Sequence, residues 1–296
     1  MVALGGGHGL ATALRAIRRY AGEITAVVSV ADDGGSSGRL RRDLGVPPPG
    51  DIRRCLVALA GDDGVWSKAF EHRFRDGELE GHALGNLILV GLSETLGSFP
   101  DALDEAGRLL RAVGRVVPAT VEPVVLKAEL VAGPITGDLT GEIVEGQVAV
   151  ANSRGIHRVE LVPGDVAASP AAVEAILRAD QVVYAPGSLY TSVLPVLCVA
   201  GLRDAIAATP AQVVQVANLR PQVPETAGMD VADHLAAILA HGCRVDRFLH
   251  DTGAGLPIDA GRLRALGVEV VSAPVARADG LAHDHEQLAR ALCALL

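Results

Sequence analysis

The stretch VALGGGHGLATALRAI, residues 2–17, combines a short apolar run, a glycine-rich turn and apolar residues at helical spacing. This order is typical of the first half of a βαβ unit, in which the turn lies at the carboxyl end of a parallel strand. It predicts a strand at 2–4 and a helix at 9–20. Backbone N–H groups in such a turn, together with the helix N-terminus, favour an anion. The turn is therefore a candidate phosphate or nucleotide cradle, with a plain tight turn as the alternative.

The same pattern continues along the chain, where runs rich in Val and Ile alternate with amphipathic stretches. The alternation predicts an α/β protein with a doubly wound and mostly parallel sheet. Further strands are expected at 24–31, 181–185, 212–218, 245–250 and 268–272. Further helices are expected at 51–61, 64–74, 83–97, 101–113, 171–179, 190–208, 230–241 and 283–295.

Between residues 115 and 165 the apolar period changes from helical spacing to alternation, in VVLKAELVAG, GEIVEGQVAV and HRVELVP. Period-two alternation between Gly and Pro turns is typical of antiparallel strands. We interpret 115–165 as a small β-rich insert. No linker-like segment separates it from the rest, so residues 1–296 are interpreted as a single domain that contains the insert.

The charge balance limits the partners that this chain can have. Lys and Arg number 26 against 35 Asp and Glu, which gives a net charge of −9. A surface of this sign repels nucleic acid polymers and anionic lipids. No stretch is apolar for long enough to span a membrane, and the N-terminal residues do not resemble a signal peptide. The four cysteines show no CxxC spacing and are expected to be buried and reduced. These features predict a cytoplasmic protein without membrane insertion.

The first glycine turn does not match the common nucleotide motifs. A GxGxxG fingerprint starting at Gly5 requires glycine at position 10, where this chain has Leu10, and the Lys and Ser/Thr of a P-loop are missing. An NAD(P)-dependent oxidoreductase would rest on fold analogy alone. His8 lies inside the turn, where it contacts a phosphate or else caps the helix or faces solvent.

A second glycine-rich stretch, SVADDGGSSGRLRRDLG at 29–45, follows the second predicted strand. Asp32 and Asp33 are adjacent, and neighbouring residues of a strand face opposite ways. One carboxylate is therefore expected to contact a ligand and the other to serve as a turn or capping residue. Ser36 and Ser37 are candidate donors to the ligand. A magnesium ion would need two or more protein oxygens together with substrate phosphate, and this alternative stays open.

Two further motifs bring polar side chains to the same sheet edge. In PPPGDIRRCLVAL, residues 47–59, Asp51 is placed to cap a helix. Arg53 and Arg41 are the preferred cations for a phosphate, because a guanidinium matches it with two bonds; surface ion pairs are the alternative. In GHALGNL, residues 81–87, two polar side chains lie one helical turn apart and have either a structural or a functional role; they are His82 and Asn86.

The second half repeats the order strand, turn and helix in QVVYAPGSLYTSVLP, residues 181–195. Gly187 and the hydroxyls that follow it, with free amides at a helix start, predict a second anion site. These hydroxyls belong to Ser188, Thr191 and Ser192. The next strand end, ANLRPQVPET at 217–226, brings further polar side chains to this edge, namely Asn218, Gln222, Glu225 and Thr226.

Taken in order, GGGHGL, ADDGGSSGRLR, PPGDIR, GHALGNL, APGSLYTSVLP, ANLRPQVPET and DGLAHDHEQLARAL resemble the YvcK, or gluconeogenesis factor, family of the CofD-like superfamily. The resemblance covers essentially the whole chain. It implies a Rossmann-like fold and a cytoplasmic bacterial protein needed for cell shape and envelope synthesis on gluconeogenic carbon sources. It also implies binding of UDP-sugars such as UDP-N-acetylglucosamine, without a required cofactor.

Carried over motif by motif, the resemblance implies UDP-sugar contacts at twelve positions, which are Gly6, Gly7, Gly9, Asp32, Ser36, Ser37, Asp51, His82, Asn86, Gly187, Ser188 and Asn218. The chain departs from the usual family residues at His8, Arg54, Ala185, Val196, Pro221 and Pro224. Two prolines in the 218–226 loop remove backbone donors there.

The related CofD branch implies an alternative, in which a phospholactyl group is transferred from a nucleotide diphosphate donor with magnesium. The candidate catalytic carboxylates would then be Asp32, Asp33 and Asp51. The leading hypothesis is the non-catalytic regulator. We expect a homo-oligomer, and the sequence identifies no protein partner.

Overall fold

The strands of the computed structural model follow the predicted order closely. The structure describes residues 1–61, 64–131, 139–253 and 255–296. Within these ranges the strands are β1 (Val2–Gly5), β2 (Thr25–Val28), β3 (Arg115–Pro118), β4 (Val125–Val131), β5 (Leu139–Glu145), β6 (Ile156–Val162), β7 (Gln181–Tyr184), β8 (Gln212–Val216), β9 (Arg247–Asp251) and β10 (Glu269–Ala273).

The helices alternate with these strands. The described helices are α1 (Gly7–Ile17), α2 (Gly35–Leu44), α3 (Pro49–Leu59), α4 (Val65–Glu71), α5 (Leu84–Leu96), α6 (Phe99–Leu109), α7 (Gln147–Ala151), α8 (Pro170–Leu177), α9 (Leu194–Leu197), α10 (Ala200–Ala208), α11 (Val231–Ala240), α12 (Ala260–Ala265) and α13 (His285–Cys293). A π-helical turn, Leu189–Val193, leads directly into α9.

The main sheet confirms the predicted α/β class. Its seven described strands are all parallel and lie in the order β10-β9-β8-β7-β1-β2-β3. The chain therefore builds outward from β1 through β2 to β3, and then from β7 to β10 on the other side of β1. The order reverses between β1 and β7, and a reversal of this kind opens a crevice at the carboxyl ends of the strands.

The β-rich insert is smaller than predicted. Strands β5, β4 and β6 form an antiparallel sheet over 125–162. Strand β3 was expected within the insert but pairs with β2 in the main sheet, with Thr25 opposite Arg115. The four residues RVVP are too few to distinguish a buried parallel strand from an alternating antiparallel strand. The corrected insert starts after β3.

Helix α1 shows how the first stretch of sequence determines the fold. Its apolar residues fall on one face, where Leu10 and Leu14 are fully buried. Burial of a leucine side chain contributes roughly 1.5–3 kcal/mol. Alanines on the same face allow α1 to pack closely against α3 and α13. The buried apolar cluster extends from this region to Leu126 and Val159 of the insert. The single-domain interpretation stays a prediction.

Helices α2 and α12 lie where the sequence pattern predicted no helix or strand, and α7 lies within GEIVEGQVAV, whose alternation predicted a strand. Glycine and serine have low helix propensity, so GSSG at the start of α2 favoured a loop. Burial of Ser36, Ser37 and Leu40 against the rest of the protein overrides that preference.

The cysteines and the apolar helices were also tested by the structure. All four cysteines lie in described ranges and are free, but only Cys55 and Cys243 are buried, whereas Cys198 is half-buried and Cys293 exposed.

Among the described residues, no single helix is long and apolar enough to cross a membrane. One pair, Leu189–Leu197 and Ala200–Ala208, satisfies length and composition only in combination and is bent by 72°.

Candidate functional site

A cleft of about 400 Å³ lies where the sheet order reverses. The loops after β1, β2 and β7 and the start of α3 form its walls, in the segments 6–9, 32–37, 50–54 and 187–192. Single side chains from other elements complete the lining; they are Arg73, Asn86, Gln147 and Gln222. The carboxyl edge of the sheet thus carries a cavity of the size that small-molecule ligands occupy.

The glycine turn after β1 forms one wall of this cleft. Helix α1 begins at Gly7 after Gly6, which has no side chain to cap the helix. A Cβ atom on Gly9 would lie 1.6 Å from the carbonyl oxygen of Pro186, in the loop after β7. Only glycine allows the two loops to approach so closely. His8 is exposed, and partial desolvation, assisted by Arg54, lowers its pKa.

Asp51 occupies a different position from the predicted helix cap. Helix α3 begins at Pro49, so Asp51 lies in its first turn. The Asp51 carboxylate accepts a hydrogen bond from the backbone N–H of Gly7, at the start of α1. It also pairs with Arg54, with 2.7 Å between Oδ1 and Nη1. Burial raises the pKa of Asp51 despite these contacts.

Asp32 is the second carboxylate of the cleft. Its Oδ1 accepts the backbone N–H of Gly34 at 3.0 Å, and the Ser37 side chain also hydrogen-bonds to it. Burial raises the pKa of Asp32, and the nearby negative charge of Asp51 raises it further. Two buried carboxylates thus share the cleft, and the charge of Asp51 disfavours ionisation of Asp32.

Asp33 does not face the cleft, in contrast to the prediction that made it a candidate catalytic carboxylate. Its two oxygens accept the backbone N–H groups of Gln147 and Val148, each at 2.9 Å. Asp33 therefore ties the insert to the loop after β2. The expectation that one of the adjacent aspartates acts as a capping residue agrees with this geometry.

A buried hydrogen-bond chain supports the floor of the site. The Nε of Arg53 donates to Asn86 Oδ1 at 3.1 Å, and Asn86 Nδ2 donates to Ser36 Oγ at 3.0 Å. The Nδ1 of His82 contacts the same hydroxyl at 3.0 Å. Arg53 also donates to the Phe70 carbonyl and pairs with Glu71 at 2.8 Å. Most donors of Arg53 are already used, so it positions Asn86 and Ser36.

Three of the predicted contacts, Arg41, His82 and Asn218, do not line the cleft. Arg41 donates to the carbonyl of Val124, on the side of α2 that faces the insert. It is therefore not placed to bind a phosphate in this cleft. His82 also does not line the cleft and reaches it only through Ser36.

The loop after β7 is already occupied by side chains of the protein. Asn218 accepts the Gly187 N–H and donates to the Gly187 carbonyl, both at 2.7 Å. Glu225 is buried, and it accepts the N–H of Tyr190 at 2.7 Å and the hydroxyl of Thr191 at 3.0 Å. The carboxylate of Glu225 thus takes the Tyr190 and Thr191 donors of the predicted second anion site, whereas Ser188 and Ser192 of that site line the cleft. Asn218 supports Gly187 and does not itself line the cleft.

The chain matches known proteins over nearly its whole length. The family model described as 2-phospho-L-lactate transferase CofD matches residues 1–276. The chain belongs to the CofD family. A relative from Mycobacterium tuberculosis is 44% identical over 99% of this chain and 89% of its own length. A gluconeogenesis factor from Halalkalibacterium halodurans is 40% identical over 92% of this chain and 88% of its own length.

Other relatives of this CofD family member differ in length. A match from Nostoc sp. is 44% identical over 80% of this chain, and the chain spans about half, 51%, of that protein. A crystal structure of a UPF0052 family member from Bacillus halodurans has a TM-score of 0.92 at 37% identity, and the match covers 99% of this chain and 97% of that one. The fold is therefore shared with the UPF0052 family member, and the sequence is similar to the gluconeogenesis factors.

The cleft of this CofD family member also contains residues that the sequence did not single out as ligand contacts. The most prominent are Arg54 and Arg73, which supply positive charge beside the glycine turn, and Gln147, which comes from the insert. Arg54 directly follows Arg53 in α3, so the motif that indicated Arg53 could also have indicated Arg54. Most of the predicted contacts do line the cleft; these are Gly6, Gly7, His8, Gly9, Asp32, Ser36, Ser37, Asp51, Arg53, Asn86, Gly187 and Ser188. That they bind a ligand stays a prediction.

Proposed function

We propose that this protein binds a nucleotide diphosphate sugar, of the UDP-sugar class, in the cleft after β1. The bound state would regulate partners in cell envelope synthesis during growth on gluconeogenic carbon sources. The observation that carries the proposal is the convergence of three helix starts, those of α1, α2 and α3, on one cleft that also contains arginines.

Each part of this arrangement favours an anion for a stated reason. Unpaired N–H groups and the positive end of a helix dipole attract negative charge. Residues from the first turn of α1, α2 and α3, respectively Gly7, Ser36 and Gly50, line the cleft. The N–H groups of Gly7 and Gly50 are bonded to Asp51 and Ser37, so α1 and α3 contribute chiefly through their helix dipoles. Side-chain cations are added by Arg54, which is paired with Asp51, and by Arg73, which donates to the Gly81 carbonyl. Together these groups can hold one diphosphate although the whole protein carries a charge of −9.

The proposal is tested by ligand-induced stabilisation and calorimetry with UDP-N-acetylglucosamine, UDP-glucose and UDP. A ligand at 100 times its Kd adds about 2.7 kcal/mol to the free energy of unfolding. Arg73→Ala should weaken binding by roughly 10-fold through loss of a charge-assisted contact. Arg75→Ala is the matched control, because Arg75 is an exposed arginine of the same segment that does not line the cleft.

Two results would contradict the binding proposal. The first is that millimolar UDP-sugars and a panel of other nucleotides leave the unfolding temperature unchanged. The second is that Arg73→Ala and Arg75→Ala bind equally well. For the regulatory role, a deletion strain grown on a gluconeogenic carbon source should regain normal shape with the wild-type or Arg75→Ala gene and not with Arg73→Ala.

One observation favours a second candidate function, a CofD-like transferase. Asp32 and Asp51 line the cleft and have raised pKa values, chiefly because both are buried. Their carboxylates, together with diphosphate oxygens of a substrate, fit the oxygen ligands that magnesium prefers. Among the described residues, no group of three or more His, Cys, Asp or Glu side chains could hold a metal alone. Magnesium would there stabilise charge on the diphosphate.

In this alternative, an acceptor hydroxyl attacks the distal phosphorus, a carboxylate takes its proton, and a nucleoside monophosphate leaves. The measurement is release of nucleoside monophosphate from a phospholactyl nucleotide diphosphate donor in the presence of the acceptor. Asp32→Asn should abolish the release and Asp43→Asn, an exposed residue of α2, should not. Absence of turnover together with tight UDP-sugar binding would favour the regulator.

A further inference from the structure

Two uncharged amide side chains, those of Gln147 and Gln222, line the cleft. They come from parts of the chain that lie far from the glycine turn in sequence, the insert and the connection between β8 and α11. The amide of Asn86, in contrast, is engaged at both ends by Arg53 and Ser36.

The position of Gln147 is fixed by the loop after β2. Its backbone N–H donates to Asp33 Oδ2 at 2.9 Å, and the next N–H, of Val148, donates to Oδ1 at the same distance. Gly146 precedes them with a φ of +96°, and a Cβ atom there would lie 2.6 Å from Asp33 Oδ2. The insert is therefore attached to the ligand-binding loop at a contact that only glycine permits.

The position of Gln222 is fixed by Thr226. The Gln222 N–H donates to Thr226 Oγ1 at 2.8 Å, and the Thr226 N–H donates to the Gln222 carbonyl at 2.7 Å. Thr226 is completely buried, and its neighbour Glu225 fastens the same loop to the turn after β7. The side-chain oxygen of Gln222 is buried, and no group in the described part of the chain donates a hydrogen bond to it.

We propose that Gln147 and Gln222 are specificity-determining residues that recognise the uncharged part of the ligand, and that Asp33 is the positioning residue for Gln147. This inference rests on the proposed function. A primary amide offers both a donor and an acceptor without charge. It complements hydroxyl or amide groups of a sugar or the donor and acceptor edge of a base, whereas arginines and helix starts complement the diphosphate.

A buried acceptor without a partner makes recognition selective. When a ligand supplies the missing donor, it relieves the cost of the unpaired atom, and a ligand without that donor leaves the cost in place. We therefore expect the two glutamines to discriminate between compounds that share the same diphosphate.

The experiment measures the Kd of pyrophosphate, UDP and UDP-N-acetylglucosamine for wild type, Gln147→Met and Gln222→Met. Methionine keeps the length of the side chain and removes its amide. The matched control is Gln212→Met, because Gln212 also has a buried side-chain oxygen without a described partner but lies at the start of β8, outside the cleft. Each cleft variant should bind UDP-N-acetylglucosamine about 10-fold more weakly and pyrophosphate as well as wild type.

Asp33→Ala tests the positioning role. It should reproduce the loss seen in Gln147→Met for UDP-N-acetylglucosamine, and it should cause no additional loss when combined with that variant. Unchanged pyrophosphate affinity separates this effect from general unfolding.

The results also identify which part of the ligand the two glutamines contact. A 10-fold loss already present with UDP assigns the contact to the base or ribose, and a loss seen only with UDP-N-acetylglucosamine assigns it to the sugar. If both glutamine variants bind UDP-N-acetylglucosamine with unchanged affinity, this inference is overturned and the proposed function is not. The same holds if the variants lose affinity for pyrophosphate as much as for UDP-N-acetylglucosamine. Wild-type protein that binds none of the three compounds overturns the proposed function and this inference with it.

Discussion

The loops that follow β1 and β7 meet at the same cleft, and each joins a strand to the start of a helix. In the loop after β7, Gly187 is held by Asn218, and Tyr190 and Thr191 donate to the buried carboxylate of Glu225. In the loop after β1, Asp51 accepts the Gly7 N–H but borders the cleft and is paired with Arg54. Each loop therefore donates to an internal carboxylate, but that of the first loop borders the cleft beside an arginine, whereas that of the second is buried behind its loop.

This difference shows that a glycine and hydroxyl motif before a helix predicts a set of donors and does not identify their acceptor. Glu225 lies 35 residues after Tyr190 in the sequence. Its carboxylate turns a possible ligand site into a rigid support for the site next to it. Four changes would break or sharpen the comparison.

The largest effect is expected from Gly9→Ala, which forces the two loops apart. The new Cβ atom would meet the Pro186 carbonyl oxygen at 1.6 Å, and backbone cannot move as a flexible side chain can. We expect a loss of about 3 kcal/mol or more in the free energy of unfolding, measured by chemical denaturation. Gly91→Ala is the control: Gly91 is exposed in α5 with open space around it, so the change should stabilise by about 0.5–1 kcal/mol. Equal effects of the two changes would contradict the close approach.

The second change, Glu225→Ala, removes the buried carboxylate behind the second loop. It leaves the buried N–H of Tyr190 and the hydroxyl of Thr191 without their acceptor. Donors left unpaired in this way cost about 1–3 kcal/mol, so the midpoint of urea denaturation should fall clearly. Glu174→Ala should change stability by less than about 0.5 kcal/mol, because Glu174 is 70% exposed in its pair with Arg178. A midpoint unchanged by Glu225→Ala would show that its carboxylate does not support the loop.

The third change, Asp32→Asn, removes the negative charge that lies beside Asp51 at the border of the first loop. Burial and the charge of Asp51 raise the pKa of Asp32 above its ordinary value of 3.8. The folded state therefore binds the proton more tightly than the unfolded chain, and the stabilisation from protonation is complete below about pH 3.8 and lost as pH rises through the folded pKa. Asp32→Asn should stabilise the protein modestly at pH 7, by about 1 kcal/mol or less, and weaken the pH dependence. A loss of stability at pH 7 would contradict this account.

The smallest effect concerns His8, in the first loop. Desolvation and Arg54 lower its pKa in the free protein, and a bound diphosphate would raise it. The affinity gained from protonated His8 is then complete below the pKa of His8 in the free protein. It is lost as pH rises through the pKa of His8 in the complex. Calorimetry with UDP-N-acetylglucosamine from pH 5.5 to 8 should show roughly 3-fold weaker binding at the high end. His8→Gln should remove the trend, and a trend that persists in this variant would assign it to another group.

The fold was largely readable from the sequence because parallel strands are short, buried and rich in Val. Strands β1, β2 and β7 to β10 lie within or close to their predicted ranges. Strand β3 was assigned to the wrong sheet, because pairing with β2 is a long-range contact that four residues do not encode. Helix α2 was missed because its glycines and serines favour loops, and only its buried contacts make it a helix.

The site was predictable in its location and less so in the roles of its residues. A glycine turn at the end of β1 and polar residues after β2 identified the cleft, because parallel strands end at a common edge. The interactions that assign Asp33 to Gln147, Arg41 to Val124 and Glu225 to Tyr190 span from 35 to 114 residues. Such pairings depend on how the elements pack, and no local spacing expresses them.

The central place of β1 in the sheet also affects how the protein is made. Strand β1 pairs with both β2 and β7, and β7 follows it by about 180 residues. At a synthesis rate of about 5–20 residues per second, the second neighbour of β1 arrives roughly 10–40 s after β1 itself. During translation one edge of this apolar strand stays without its partner, so the cleft is completed only after the insert and β7 have left the ribosome.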